Sequence, residues 1–200
     1  MNLLSTLRIA SVLAVTATLL PLASQAAAKT WNVDKDHASV SFEINHFFTP
    51  VKARFLDFAG TFKLDATDLT KAPSFEFTVK VPSVATDNAK RDGHLQSPDF
   101  FNAAQWPEIR FTGTQILNTG TNTYKAIGRL TIRDITKDFE VPFTVLGVKE
   151  VTTMMGAAEI MCIRVKTEIN RNDFGVGTGS WAATAVVGDT VGIDILMELK

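Results

Sequence analysis

The residues that invite a reading as covalent or metal chemistry are three histidines, one cysteine, and Ser83 with the charges downstream of it. Ser83, His94 and Asp92 are the residue types of a hydroxyl nucleophile, its base and an orienting acid. No G-x-S-x-G turn surrounds Ser83, so the strained elbow that exposes such a serine is missing and roles cannot be assigned. His37, His46 and His94 suffice by count for a zinc site. They are scattered along the chain, however, with no pair at the short spacing of a metal motif. Gly175, Gly177 and Gly179 have the look of a nucleotide loop but fall between strands, without the helix that completes one. Cys162 stands alone, so no internal disulfide is expected. It reads as a small buried hydrophobe rather than an intermolecular bridge. It is also out of phase with the apolar face of its strand, so it should point away from the interior. No catalytic residue and no metal ligand is assigned, and the chain reads as a binding protein rather than an enzyme.

The most informative stretch is residues 83–111, SVATDNAKRDGHLQSPDFFNAAQWPEIRF. On either side of it apolar and polar residues alternate with a period of two. Within it the alternation stops. Lys90, Arg91 and Asp92 cluster, His94 and Leu95 follow, and Phe100, Phe101 and Trp106 come close behind. Residues 86–95 and 98–104 can hold short helices, with Thr86 or Asp87 as cap for the first and Ser97 for the second. For Arg91, Asp92 and His94 a structural cap and a contact to a ligand head group are both open. Arg171 and Asp173 read as a pair that holds a loop, and Trp106, before Pro107, as a plug for one end of the fold.

The elements that must position this insert are strands. Val40, Phe42, Ile44 and His46 share one face. Leu56, Phe58, Gly60, Phe62 and Leu64 repeat the pattern, as do Phe75, Phe77, Val79 and Val81. Ile109 and Phe111 follow the insert. Tyr124, Ala126, Gly128, Leu130 and Ile132 form the next face, after a turn near Asn118 to Asn122. A tight turn is expected from Asp134 to Lys137. Phe139, Val141, Phe143 and Val145, then Met161, Ile163, Val165, Thr167 and Ile169, then Val191, Ile193, Ile195, Met197 and Leu199 complete the set. About eight one-sided strands without a long helix predict an all-β fold, a sandwich or a barrel; the one-sided faces favour an eight-stranded antiparallel barrel with a short helical insert near residues 86–104. Such a barrel is either filled by side chains or holds one small ligand. Phe occurs 14 times and Tyr once, which suits a packed core and an apolar tunnel alike.

Residues 1–28 read as a secretory signal peptide. Arg8 is its weakly basic start and an uncharged apolar run follows to Leu20. Pro21 breaks that run, and small residues then allow cleavage after Ala26 or Ala28. The run is shorter than the ~20 residues of a spanning helix. Residues 29–200 then form one domain. Without Arg8 the chain carries 19 basic against 21 acidic residues, from totals of 20 and 21. A net charge near −2 offers no platform for nucleic acid.

Four segments carry a resemblance: TWNVDKDHASVSFEINH (30–46), the insert 83–111, GRLTIRDITKDFEVPF (128–143), and INRNDFG (169–175) with VGDTVGIDI (187–195). In this order they resemble the YceI-like proteins, and Arg91, Asp92, His94 and Leu95 form the most specific element. The chain departs from the pattern at Ala53, where glycine is usual, and at Asp134 and Asp138 in a later turn. The resemblance implies a lipocalin-like barrel, exported to the periplasm, that binds a polyisoprenoid or an isoprenoid quinone with no covalent cofactor. On that reading Phe42, Ile44, Phe62, Phe77, Val79, Phe111, Leu130, Phe143, Ile163 and Ile195 line the cavity. Arg91, Asp92, His94, Leu95, Phe100 and Phe101 form its mouth and meet the head group. The partner is a hydrophobic small-molecule lipid, the protein does not span a membrane, and similar proteins are seen as homodimers. The competing reading is a ligand-free barrel serving envelope stress, or a module that docks a protein partner.

Overall fold

The computed structural model describes residues 28–153, 156–177, 179–183 and 185–200. The expected signal peptide, except Ala28, lies outside the described residues. Alternating sequence becomes ten strands: β1 (Lys29–His46), β2 (Thr49–Phe55), β3 (Phe58–Leu64), β4 (Ser74–Lys80), β5 (Val84–Ala85), β6 (Glu108–Gly120), β7 (Thr123–Ile132), β8 (Ile135–Thr153), β9 (Gly156–Asn170) and β10 (Val187–Leu199). All pair antiparallel, and β10 closes the sheet on β1, with Phe42 opposite Ile193 and Ile44 opposite Val191. β2 and β3 lie end to end along β1. β4 and the short β5 lie end to end along them in turn. The ten strands therefore make eight staves of a closed barrel.

The stave of β2 and β3 corrects the expected strand from Leu56 to Leu64. Leu56 is 62% exposed and sits in the break between the two strands. The hydroxyl of Ser83 accepts the N–H of Leu56 at 3.2 Å and of Asp57 at 2.9 Å, so the interrupted backbone is still satisfied. β2 carries its own inward face, Val51, Ala53 and Phe55. Pro50 at the strand start and the small Ala53 hid that face from the periodicity. The expected turn from Asp134 to Lys137 is shorter: Arg133 and Asp134 alone separate β7 from β8, and Thr136 already pairs with Thr131.

One end of the barrel is shut by packing. Trp31, Leu199 and Met161 are almost fully buried there, with Leu64 and Leu69 against them. The Trp31 indole N–H donates to the Leu64 carbonyl at 3.2 Å, so this plug leaves no orphan donor. Closer to the middle, Gly113 faces Gly128 across β6 and β7. A Cβ on Gly128 would stand 2.2 Å from the Thr112 carbonyl, and one on Gly113 2.5 Å from the Phe75 ring. The two glycines make room for the stacked Phe75 and Phe111, whose centroids are 5.6 Å apart.

The insert follows β5 at the other end. Its helix α1 (Ala89–Gln96) is capped by Asn88, which accepts the Arg91 N–H, in place of Thr86 or Asp87. Thr86 is instead buried beneath the helix. The expected second helix is a set of hydrogen-bonded turns, with Phe100 and Asn102 both donating to the Ser97 carbonyl. No helix among the described residues is long and apolar enough to cross a membrane.

Candidate functional site

The barrel is hollow. Its cavity has a volume of about 240 Å³, larger than the ~150 Å³ apolar cavity that stays dry and admits benzene. Phe42, Ile44, Phe62, Phe77, Val79, Phe111, Leu130, Phe143, Ile163 and Ile195 all stand on its wall. The period of two puts them there, since each sits in phase with buried neighbours on its own strand. Phe55, Phe139, Phe174 and Val176 join the wall beyond the expected lining residues. Phe174 and Val176 lie in or just after a 3-10 turn (Arg171–Phe174), where no period exists to reveal them. Among the described residues, only Ser41, Thr167 and Arg171 interrupt an otherwise apolar lining.

The insert divides into two roles. Leu95, Phe100 and Phe101 reach the cavity wall; Arg91, Asp92 and His94 do not. Arg91 donates from Nε to the Thr86 hydroxyl and from Nη2 to the Thr86 carbonyl, both at 2.8 Å. Asp92 Oδ1 accepts the Thr86 N–H at 2.8 Å and its hydroxyl at 2.6 Å. One buried threonine is thus clasped from both sides, and the clasp fixes α1 to the end of β5. His94 lies within hydrogen-bond reach of Asp99, with its Nε2 3.1 Å from Oδ2. Ser83 bonds the Lys80 carbonyl at 2.7 Å. Ser83, Asp92 and His94 therefore face three different partners and form no relay.

Arg171 is buried at the same end, and the expected pair with Asp173 is not made. Asp173 instead meets Lys137 at 3.3 Å. The inward phase of β9 runs on to Arg171, and the 3-10 turn that begins there breaks the period and leaves Asp173 at the surface. Arg171 donates to the carbonyls of Gly188 at 2.7 Å, Val176 at 2.8 Å and Val187 at 3.0 Å, and to Asn172 Oδ1 at 3.0 Å. It holds the chain between β9 and β10 through backbone, and burial pulls its guanidinium below the ordinary value. Arg133 makes a second clamp, donating to the Phe100 carbonyl at 2.9 Å and to that of Gly175. Its guanidinium lies 4.7 Å above the Trp106 ring, so Trp106 is a shelf for this clamp and not a plug. The plug is Trp31, at the opposite end.

Cys162 is free and half-buried, less enclosed than expected, and lies off the cavity wall. Burial, with Glu198 adding, raises its thiol above the ordinary value. His37 meets Asp34 and Glu198 in a group that could hold a metal ion by ligand type. Lys200 Nζ already lies 2.7 Å from Asp34 Oδ2, and His37 Nδ1 lies 2.9 Å from the same oxygen. The Lys200 and His37 hydrogen bonds hold the Asp34 carboxyl down to about 2, and the same bond from Asp34 raises His37. This is an ion network at the shut end, away from the cavity.

A hollow apolar barrel capped by an Arg-Asp-x-His-Leu insert has relatives. Residues 31–199 match the model of the YceI-like domain. The chain belongs to the YceI-like family. The UPF0312 protein of Pseudomonas savastanoi pv. phaseolicola is 34% identical over 171 residues, covering 84% of this chain and 87% of its own. Among solved structures, Burkholderia cenocepacia BcnA superposes with a TM-score of 0.75 at 26% identity, over 83% of this chain and 98% of its own. The Campylobacter jejuni YCEI protein gives 0.64 at 28% identity, over 75% and 84%. A polyisoprenoid binding domain from Saccharophagus degradans, implicated in plant cell wall breakdown, gives 0.65 at 12% identity and so shares the fold. The barrel fold is thus shared with these three solved structures.

Proposed function

We propose that this YceI-like protein is an exported, periplasmic carrier that binds one long apolar lipid, a polyisoprenoid or isoprenoid quinone, and catalyses no reaction. The observation behind this reading is the cavity wall. Ten phenylalanine, leucine, isoleucine and valine positions from eight staves converge on one hollow, with almost nothing polar between them. Each methylene moved from water into such a space gains about 0.8 kcal/mol, so an isoprenoid tail needs no hydrogen bonds to be held. A polyisoprenoid is also the ligand named for the Saccharophagus degradans domain of the same fold. In this reading Leu95, Phe100 and Phe101 touch the lipid where it leaves the barrel, and its polar end emerges beside His94. Arg91 and Asp92 act through Thr86, by keeping the insert in place.

The test is native mass spectrometry of protein recovered from the cell envelope without detergent, followed by extraction of its lipid. Wild type should carry one lipid of defined mass. Phe77→Asp and Phe143→Asp should carry none while retaining a β-sheet circular-dichroism spectrum, because an unpaired carboxylate facing the tail is costly. Empty wild-type protein, or full occupancy in both folded variants, would overturn the carrier reading.

A further inference from the structure

The hairpin between β1 and β2 breaks two local rules at once. Its loop is Phe47 and Phe48, since His46 pairs with Thr49 across it. Phe47 has φ +53°, a left-handed backbone that suits glycine, asparagine or aspartate and strains a bulky side chain. Phe47 is 57% exposed and Phe48 97%. Val186, 37% exposed, extends the apolar tip, and its carbonyl accepts the Phe47 N–H at 2.7 Å. Among the described residues packing explains neither ring: Phe48 is almost wholly in water, and the one aromatic neighbour of Phe47 is the edge of His46, at 4.8 Å. Rule-breaking residues that do nothing for the fold mark a functional site.

The place matters as much as the type. Ile44 and Val187, on the two strands that lead to this tip, both line the cavity. β1 runs from Trp31 at the plug to His46 at the tip, and β5, antiparallel to β2, leads into the insert on the same side, so the tip projects from the end of the barrel that carries the insert, opposite the Trp31 plug. If the cargo is an isoprenoid lipid, its source is a bilayer, and passage through water would expose its whole tail. A protein that exchanges such a lipid gains by touching the bilayer at that end.

We infer that Phe47 and Phe48 form a docking tip that inserts into a lipid bilayer and seats the open end of the barrel on it; this rests on the carrier reading above. A second copy of the chain fits the tip less well. Two aromatic side chains bury about 150–250 Å² each at most, whereas a stable dimer takes about 800 Å² from each partner. A convex tip asks for a partner without fixed shape, and interfacial aromatics meet that need in lipid.

The experiment is flotation of the purified protein, its N terminus checked by intact mass, with vesicles of phosphatidylethanolamine and phosphatidylglycerol. Wild type should float. Phe48→Asp, and Phe47→Gly combined with Phe48→Ser, should lower the bound fraction at least about tenfold. The second variant relieves the backbone at position 47, so its melting temperature should be unchanged or higher and misfolding cannot account for the loss. Phe77→Asp should still float although it carries no lipid. If Phe77→Asp floats while wild type proves empty, the carrier reading fails and the docking tip stands. If wild type stays in solution, or the tip variants float equally well, the tip is not a bilayer anchor. A dimer in analytical ultracentrifugation that Phe48→Asp dissolves would also overturn it and assign the tip to self-association.

Discussion

The ring of His94 stands edge-on to that of Trp181, with centroids 5.0 Å apart and planes at 74°. His94 belongs to α1 and Trp181 to the 3-10 turn Gly179–Ala182 between β9 and β10. Phe100 completes the group, 5.6 Å from Trp181 and 5.0 Å from His94. Two segments far apart in sequence are thus joined over the end of the cavity by three rings, one of which, Phe100, also lines it.

On the carrier reading proposed above, this contact would make Trp181 a latch. Each aromatic pair contributes about 0.5–1.5 kcal/mol beyond burial, so losing two of them lowers the barrier to lifting the insert by about 1–3 kcal/mol. Trp181→Ala should raise the rates of lipid entry and release together, by roughly tenfold, and leave the equilibrium affinity near its original value. Displacement of a fluorescent isoprenoid analogue, followed in time, measures both. Unchanged rates would show that the insert does not move as the lipid passes.

At the shut end, Asp34 ties the bulged part of β1 to Lys200 at the chain terminus. Its carboxyl lies near 2 in the folded protein against 3.8 as an ordinary aspartate, chiefly through the Lys200 hydrogen bond and then that of His37. The folded state therefore holds this proton less readily than the unfolded chain. The resulting stability, about 1–2 kcal/mol, is complete above pH 4 and is lost as pH falls from 4 towards 2. His37 has the opposite sign: raised above 6.5 by Asp34 and then Glu198, it contributes below that pH and stops contributing as pH rises through its folded value. Denaturation midpoints across pH should fall at the acid end, and Asp34→Asn should flatten that arm. An equally steep acid arm in Asp34→Asn would locate the acid sensitivity elsewhere.

Much of the fold could be read from the alternation itself. A period of two with one apolar face assigns each side chain to one side of the sheet, which is why Phe42, Phe77 and Ile195 stand on the wall the pattern indicated. The pattern is silent where the backbone leaves the ladder. β2 escapes the pattern because Pro50 and Ala53 weaken its apolar face, although Ala53 is buried on it. Phe47 and Phe48 gave no turn signal because they are the wrong residues for a turn. Arg171 lies two residues from Asp173 in sequence, but its partners include the Val187 and Gly188 carbonyls, which come near only once β10 has paired with β9. Whether the barrel is filled or hollow also escapes the alternation, because inward phenylalanines look the same in both. That difference depends on whether facing side chains meet, and small inward residues such as Ala126 help keep them apart.

Ala126 is the position from which hollow and filled barrels can be told apart by experiment. It lies on β7 between Ile116 and Val141 on the neighbouring strands, buried on the cavity wall. Its neighbours two residues away on the same face are Tyr124 and Gly128, and Tyr124 stacks on Phe143 with centroids 5.4 Å apart. A phenylalanine at 126 would project into the hollow. Filling apolar space adds buried area at about 25 cal/mol per Å², so Ala126→Phe should melt at an equal or higher temperature, with a gain of up to about 1–2 kcal/mol. The same ring occupies the volume a lipid tail would use, so the variant should be recovered with far less lipid than wild type. Stability and occupancy then move in opposite directions, which loss of folding cannot imitate. Thermal denaturation together with extracted-lipid mass analysis of the one variant reads both. A barrel whose interior is already filled gives the reverse result: overpacking costs about 1–3 kcal/mol, and Ala126→Phe would then be the less stable protein.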